Sequence, residues 1–154
     1  MGHICLYEIN QRIFISGDHV LIDITPNIQC WANHENQLKN YIENLKKVRG
    51  FDVEFVLPGH HRSFTNLRSR GDELIYHHED RLNEIRNILD QWPKTAYETT
   101  AKMNWDIKAL NWKGFPIAQQ WFATGEALSH LRYLEVNGEI RRQLVKNETQ
   151  IELQ

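Results

Sequence analysis

Alternating apolar and polar positions predict a β-hairpin near the beginning of the chain. Residues 4–9 and residues 12–16 both alternate in the manner of strands, and Asn10-Gln11 lies between them. Alternation with a period of two is typical of a strand that buries one face, and a short polar pair suits a tight turn. A third apolar run, residues 53–57, ends at Pro58-Gly59 and predicts another strand.

Helical spacing predicts two long helices around that third strand. Apolar residues recur every three or four positions from Glu35 to Val48, and Gly50 is a natural stop. A second stripe runs over residues 66–91 until Trp92-Pro93 ends it. His77 and His78 lie within this stripe, where adjacent positions diverge by about 100° around the helix axis. We interpret both as solvated or half-buried helix positions.

The remaining third of the chain predicts two helices followed by a hairpin. Residues 95–103 predict a short helix with Thr95 as its N-cap, and the stripe from Ile117 predicts a longer helix that ends at Asn137-Gly138. Residues 139–144 and 149–153 predict a closing hairpin. We interpret this order as a small winged-helix module, so the predicted domains are residues 1–93 and 94–154 in an α+β protein.

Composition narrows the function only a little. The chain has 154 residues, 25% charged, and a formal net charge of −2, which argues against a general polyanion binder. No stretch approaches the roughly 18 apolar residues that span a membrane. The first residues lack the pattern of a signal peptide, and Cys5 and Cys30 suit reduced, structural positions. We therefore expect a cytoplasmic protein without a membrane partner.

Three short motifs carry the candidate chemistry. They are Gly2-His3, residues 16–20 (Ser-Gly-Asp-His-Val) and residues 58–61 (Pro-Gly-His-His). Each places a histidine or an aspartate beside an extended apolar run. Neutral imidazoles and carboxylates at strand ends are typical of zinc and two-metal hydrolase sites. Any one of these residues alone could be an ordinary loop residue, but the three motifs in series predict a metal site.

These motifs resemble a known family. Residues 2–7, 14–20 and 56–60, with Thr25-Pro26-Asn27, resemble the later motifs of the metallo-β-lactamase superfamily. The match is closer to the hydrolase branch that carries a C-terminal winged-helix extension, and it covers essentially the whole chain. The resemblance implies the C-terminal half of a metallo-β-lactamase αββα sandwich followed by a small winged-helix domain.

Carried over by position, the resemblance implies roles for particular residues. His3 would bind the first metal, His60 the second, and Asp18 would be the catalytic carboxylate that bridges both. His19 and His61 would lie behind these ligands or face the substrate. Two zinc ions in a complete enzyme would lower the pKa of a bridging water. The resulting metal-bound hydroxide would attack a thioester, a lactone or an RNA phosphodiester.

The sequence also departs from the family pattern. The His-x-His-x-Asp-His motif, which supplies most of the ligands, does not occur in these 154 residues. We therefore expect a chain truncated at its N-terminus that is inactive alone and holds few or no zinc ions. Its expected partners are the missing N-terminal half of the hydrolase domain and the small-molecule or RNA substrate. A second copy of the chain is also expected, packed on an exposed sheet face.

Other functions remain open. The chain could be a winged-helix module that binds nucleic acid or protein on a catalytically incomplete half-domain. The helix from Ile117 would then be a recognition helix, and the possible nucleic-acid contacts on the wing are Arg141, Arg142 and Lys146. Its acidic residues weigh against duplex binding, which usually requires a basic face. We favour packing of the wing on protein. A purely structural role is the third hypothesis.

Overall fold

The chain forms two compact units. The computed structural model describes residues 3–30, 35–106, 109 and 111–154. The first unit is drawn from Met1–Asn27 and Tyr41–His77, and the second from Ile28–Asn40 and His78–Gln154. Two of the divisions between the units fall within helices, and the domain boundary near residue 93 stays a prediction.

The first unit contains a three-stranded sheet. Its strands are β1 (Leu6–Glu8), β2 (Ile13–Gly17) and β3 (Phe55–Pro58), in the order β1-β2-β3. β1 pairs antiparallel with β2, as the predicted hairpin requires, and β3 pairs parallel with β2. The predicted strands are therefore confirmed, although β1 is shorter than the alternating pattern.

The two faces of this sheet differ sharply. In the registers of the sheet, Phe14 is opposite Val56, and both side chains are buried. On the other face, Ile15 lies opposite Leu6 on one side and Leu57 on the other. These three side chains are 44%, 59% and 37% exposed, respectively. The sheet thus presents an open row of apolar side chains that crosses all three strands.

Two helices contribute residues to both units. α1 spans Gln37–Val48 and α2 spans Leu67–Leu89, close to the predicted ranges. The side chains of Asn36 and Asn66 accept hydrogen bonds from backbone amides three residues later, so each satisfies an otherwise unpaired N–H at a helix start. Both helix predictions are confirmed.

The second unit contains the predicted helices and hairpin. α3 spans Ala96–Lys102, a 3-10 turn spans Trp112–Gly114, and α4 spans Ile117–Val136. β4 (Ile140–Val145) pairs antiparallel with β5 (Glu148–Leu153). Lys146 and Asn147 form the turn with φ angles of 49° and 67°, which match the twist of a two-residue hairpin. The order of two helices and a hairpin is confirmed.

The start of α3 follows its sequence signal closely. The Thr95 hydroxyl accepts a hydrogen bond from the Glu98 amide, and the Glu98 carboxylate accepts one from the Thr95 amide. This reciprocal pair is a capping box, which satisfies two donors at the helix start. The predicted N-cap at Thr95 is therefore confirmed.

The interpretation of His78 as solvated or half-buried is wrong. His78 and His130 are both fully buried, and His78 Nδ1 lies 3.1 Å from His130 Nε2. The Nδ1 atom of His130 lies 2.9 Å from the carbonyl oxygen of Glu126. Because a carbonyl only accepts, His130 carries its proton on Nδ1, and a neutral His130 accepts from His78 at Nε2. His78 is buried because it lies on the same face of α2 as Leu74 and Leu82, which are one turn before and one turn after it and are also buried.

Within the described part of the chain, none of the helices is long and apolar enough to cross a bilayer.

Candidate metal site

Asp18 lies in a sharp turn at the end of β2. The register with β3 shifts between Ile15 and Gly17, and Gly17 has a φ of +52°, a conformation that favours glycine. The amide of His19 then donates to the carbonyl of Ser16 at 3.0 Å, which closes the turn. The strand therefore ends abruptly and presents Asp18 at its carboxyl end.

His3 lies against this turn. The Asp18 amide donates to His3 Nε2 at 3.0 Å, so a neutral His3 carries its proton on Nδ1. A Cβ atom at Gly17 would lie 2.1 Å from the same nitrogen. Gly17 is thus required twice, for its backbone conformation and for the space that the His3 ring fills.

His60 reaches Asp18 from the loop after β3. Because β2 and β3 are parallel, their carboxyl ends meet at the same edge of the sheet. His60 Nδ1 lies 2.5 Å from Asp18 Oδ1, and the Gly59 amide donates to the Gly17 carbonyl at 2.8 Å. A carboxylate oxygen accepts, so His60 donates from Nδ1 and keeps the lone pair on Nε2.

Gly59 makes this approach possible. A Cβ atom at this position would lie 2.9 Å from Asp18 Oδ1 and 3.2 Å from the Gly17 carbonyl carbon. Glycine therefore lets the two loops come into contact. Gly17 and Gly59 both belong to the sequence motifs, but their steric role depends on a contact between segments that are distant in the chain.

His19 and His61 occupy different surroundings. The ring of His19 packs edge-on against Tyr41, with ring centroids 5.1 Å apart. Burial, with a smaller contribution from His3, lowers the pKa of His19 to about 4, so the ring is neutral near neutral pH. His61 is exposed and has a φ of 66°. Their predicted roles, behind the ligands or facing substrate, stay predictions.

The proposed nucleic-acid contacts lie in the second unit. Arg141 donates from Nε to Glu152, and Arg142 donates from Nε to Glu135, each at 2.6 Å. Lys146 is exposed in the turn between β4 and β5. The two arginines are thus engaged by carboxylates of their own unit, and a role in nucleic-acid binding stays a prediction.

The donors of the candidate site fit a zinc-class cation in kind. Two imidazoles and one carboxylate, from His3, His60 and Asp18, meet at one edge of the sheet. These three ligands are too few to complete a site for two such cations. Among the residues that the structure describes, no group of three or more His, Cys, Asp or Glu side chains is arranged to hold a metal ion.

Comparison with known families identifies both ends of the chain. Residues 2–60 match the model of the metallo-beta-lactamase superfamily. Residues 82–150 match the model described as metallo-beta-lactamase-like, C-terminal domain. Between them, the two matches make most of the chain similar to the metallo-β-lactamase superfamily. The first match contains the three candidate ligands, and the second contains most of the second unit.

Individual relatives show the same similarity. The chain is 22% identical over 107 residues to the probable metallo-hydrolase YqjP of Bacillus subtilis (strain 168), a match that covers 66% of this chain. It is similar to the crystal structure of a beta-lactamase domain protein from Burkholderia ambifaria, with 29% identity and a TM-score of 0.89. It is also similar to the metallo-beta-lactamase family protein TTHA1429 from Thermus thermophilus, with 28% identity and a TM-score of 0.81.

The chain spans only part of these relatives. Each structural match covers 99% of this chain, but only 44% of the Burkholderia chain and 46% of the Thermus chain. The match to YqjP covers 34% of that protein. The α+β fold of this chain therefore corresponds to less than half of each of these larger proteins.

Proposed function

We propose that the chain contributes part of the active site of a metal-dependent hydrolase. His3, Asp18 and His60 would bind a pair of zinc-class ions, with Asp18 between them and the remaining ligands supplied from outside this group. The observation that carries the proposal is the contact between His60 and Asp18 at the carboxyl ends of two parallel strands, with His3 beside them. The match to the superfamily model and the similarity to a probable metallo-hydrolase support it.

The chemistry of these residues suits that role. Bound zinc-class ions supply Lewis-acid activation of a water and of a substrate carbonyl or phosphoryl oxygen. Asp18 would be shared by the two cations, since a carboxylate has two oxygens that can each act as a ligand. His60 offers Nε2, and His3 would offer Nε2 once it gives up the hydrogen bond from the Asp18 amide. Imidazole nitrogens are ligands that zinc prefers. His19, neutral because burial lowers its pKa to about 4, would add no positive charge beside the cations.

The substrate class follows from that chemistry. Thioesters, lactones and RNA phosphodiesters all contain a polarised centre that an activated water can attack, and we propose that the substrate is one of these. The second unit has the helix, helix and hairpin order of a small winged-helix domain. Because Arg141 and Arg142 are engaged within that unit, hydrolysis is favoured over nucleic-acid binding as the primary function.

The sheet of the first unit also implies a partner. One face of this sheet carries a solvent-exposed apolar row formed by Leu6, Ile15 and Leu57. Burying such a row is favourable by about 25 cal/mol for each Å² removed from water. The N-terminal half of the hydrolase fold, or a second copy of the chain, would pack there.

Metal titration tests the assignment of the ligands. Co²⁺ is added to the metal-free protein, and binding is followed by visible absorption. We expect weak binding by the chain alone, weakened at least about tenfold by Asp18→Asn or His60→Gln, since metal-site residues typically contribute this much. His77→Gln, on α2, is the matched control and should leave the affinity unchanged. Binding that Asp18→Asn and His60→Gln both leave intact would refute the assignment, whereas absence of binding would mean that the chain needs the ligands supplied from outside this group.

Hydrolysis tests the reaction itself. Thioesters, lactones and single-stranded RNA are offered to the complete enzyme, with and without Asp18→Asn. Mutation of a residue that hydrogen-bonds to a metal ligand typically lowers activity roughly 10–100-fold. Because Asp18 is proposed as a ligand itself, we expect Asp18→Asn to lower turnover by more than this. Unchanged turnover in Asp18→Asn, His3→Ala and His60→Ala would instead support a purely structural role for this chain.

A further inference from the structure

The segment that follows Asp18 is held by side chains through its main-chain carbonyls. Ser16 Oγ donates to the Val20 carbonyl at 2.8 Å, and Tyr41 Oη donates to the His19 carbonyl at 3.0 Å. Arg70 donates twice, from Nε to the Leu21 carbonyl at 2.7 Å and from Nη2 to the Ile24 carbonyl at 2.9 Å. We call Ser16, Tyr41 and Arg70 the carbonyl clamp.

The donors of the carbonyl clamp come from three separate elements of the first unit. Ser16 belongs to β2, Tyr41 to α1 and Arg70 to α2. The Ser16 and Tyr41 side chains are buried, and Arg70 is held by an ion pair with Glu73 at 2.9 Å. Burial also raises the pKa of the Tyr41 hydroxyl, so it stays protonated and able to donate. The clamp is therefore built on regular elements rather than on the loop itself.

The clamp matters because residues 18–24 form no helix or strand. Their carbonyls have no ladder partners, so side chains must satisfy and fix them. Asp18 begins this segment, and its carboxylate must keep one direction to meet His60. Groups that bind or react are most effective when surrounding hydrogen bonds hold them in place beforehand.

We propose that Tyr41 and Arg70 are positioning residues that orient the Asp18 carboxylate by fixing the backbone that follows it. This inference rests on the proposed function only in assigning a ligand role to Asp18. Neither side chain is proposed to touch metal or substrate.

Tyr41→Phe is the test variant because it keeps the buried ring and removes only the hydroxyl. Tyr7→Phe is a matched control, since Tyr7 Oη donates to the Asp52 carbonyl at 2.6 Å in the same unit but away from the Asp18 segment. Arg70→Met supplies a second test, with the exposed Arg68→Met on the same helix as its control.

The first readout is amide hydrogen exchange, which needs no metal. The amides of His19 and Gly59 report on the turn and on its contact with the loop after β3. We expect Tyr41→Phe and Arg70→Met to accelerate their exchange about fivefold or more, as the loss of a typical hydrogen bond implies. The Val56 amide in β3 should be unaffected. Equal acceleration at all three amides, or none at His19 and Gly59, would overturn the proposal.

The second readout is Co²⁺ affinity and the visible spectrum of the bound ion. We expect the test variants to weaken binding about fivefold and to alter the spectrum, whereas the control variants should do neither. If the unmodified protein binds no Co²⁺, metal binding needs ligands from outside this chain, and the exchange data alone decide whether the clamp fixes the backbone that follows Asp18. If Co²⁺ binds but the test variants leave affinity and spectrum unchanged, the positioning role fails alone.

Discussion

His60 Nδ1 lies 2.5 Å from Asp18 Oδ1, although the two residues are 42 positions apart in the sequence. The contact follows from the parallel pairing of β2 and β3, which brings the ends of both strands to one edge of the sheet. Two glycines, Gly17 and Gly59, then allow the loops to approach without steric conflict. The candidate site is therefore a product of strand pairing and of close backbone approach.

Gly59→Ala should separate site geometry from stability. The added methyl would lie 2.9 Å from Asp18 Oδ1, so the carboxylate must move and its hydrogen bond with His60 should be lost. Because a short side chain can rotate away, we expect the free energy of unfolding to change by only about 1 kcal/mol. The His60 Nδ1–H resonance in NMR spectra measures the effect on the site.

Gly114→Ala is the control for that experiment. A methyl group there would meet its nearest atom at 3.9 Å, an ordinary contact, and neither the His60 resonance nor Co²⁺ binding should change. A retained Asp18–His60 hydrogen bond in Gly59→Ala would contradict the steric role given to Gly59.

The open face of the sheet should cause association. Ile15 lies at the centre of the apolar row, between Leu6 and Leu57. We expect concentration-dependent oligomers in sedimentation velocity, and we expect Ile15→Lys to shift them towards monomer because it places a charge in the buried contact. Ile117→Lys, at an 85% exposed position of the second unit, should leave association unchanged. A monomer at all concentrations would disprove this expectation.

The capping box should contribute to stability in a pH-dependent way. Thr95→Ala removes the hydroxyl that accepts from the Glu98 amide and should cost about 1 kcal/mol in urea unfolding. The hydrogen bond from the Thr95 backbone lowers the pKa of Glu98 below its usual value of 4.5. The folded state thus binds fewer protons than the unfolded state just below that value, so stability falls as the pH falls.

Glu98→Ala checks the sign of this effect. The loss in the free energy of unfolding caused by Glu98→Ala should be fully present above pH 4.5 and should shrink as the pH falls through the lowered pKa of Glu98. Thr65→Ala, at an exposed position outside the helices, should have little effect at any pH. A difference between Glu98→Ala and the unmodified protein that grows on acidification would contradict the proposed linkage.

The buried histidine pair should be important for the second unit. His78→Ala would remove a fully buried ring and leave His130 without its hydrogen-bond donor. We expect a loss of about 2–4 kcal/mol in the free energy of unfolding, typical of a large-to-small change in a core. His77→Ala, at the half-buried neighbouring position, should cost clearly less. Equal losses would mean that the His78–His130 contact adds nothing specific.

Local patterns in the sequence were enough to predict the elements. Helical stripes predicted α1, α2 and α4, Thr95 predicted the start of α3, and alternation predicted both hairpins. These features depend on neighbours within one or two turns, so contiguous residues determine them. The motifs also identified His3, Asp18 and His60 as residues that belong together, and the structure brings all three to one edge of the sheet.

Other features depended on contacts between distant segments. His78 lies within the predicted stripe of α2 but was interpreted as solvated or half-buried, and only the tertiary structure decided that it is buried against His130, 52 positions away. Tyr41 lies within the predicted stripe of α1, yet its hydroxyl donates to the carbonyl of His19, which lies outside that helix. A sequence pattern shows which face of an element avoids water but not which residues it meets. By itself, then, the sequence determined the elements and the candidate ligands, whereas tertiary packing decided how Asp18 is held.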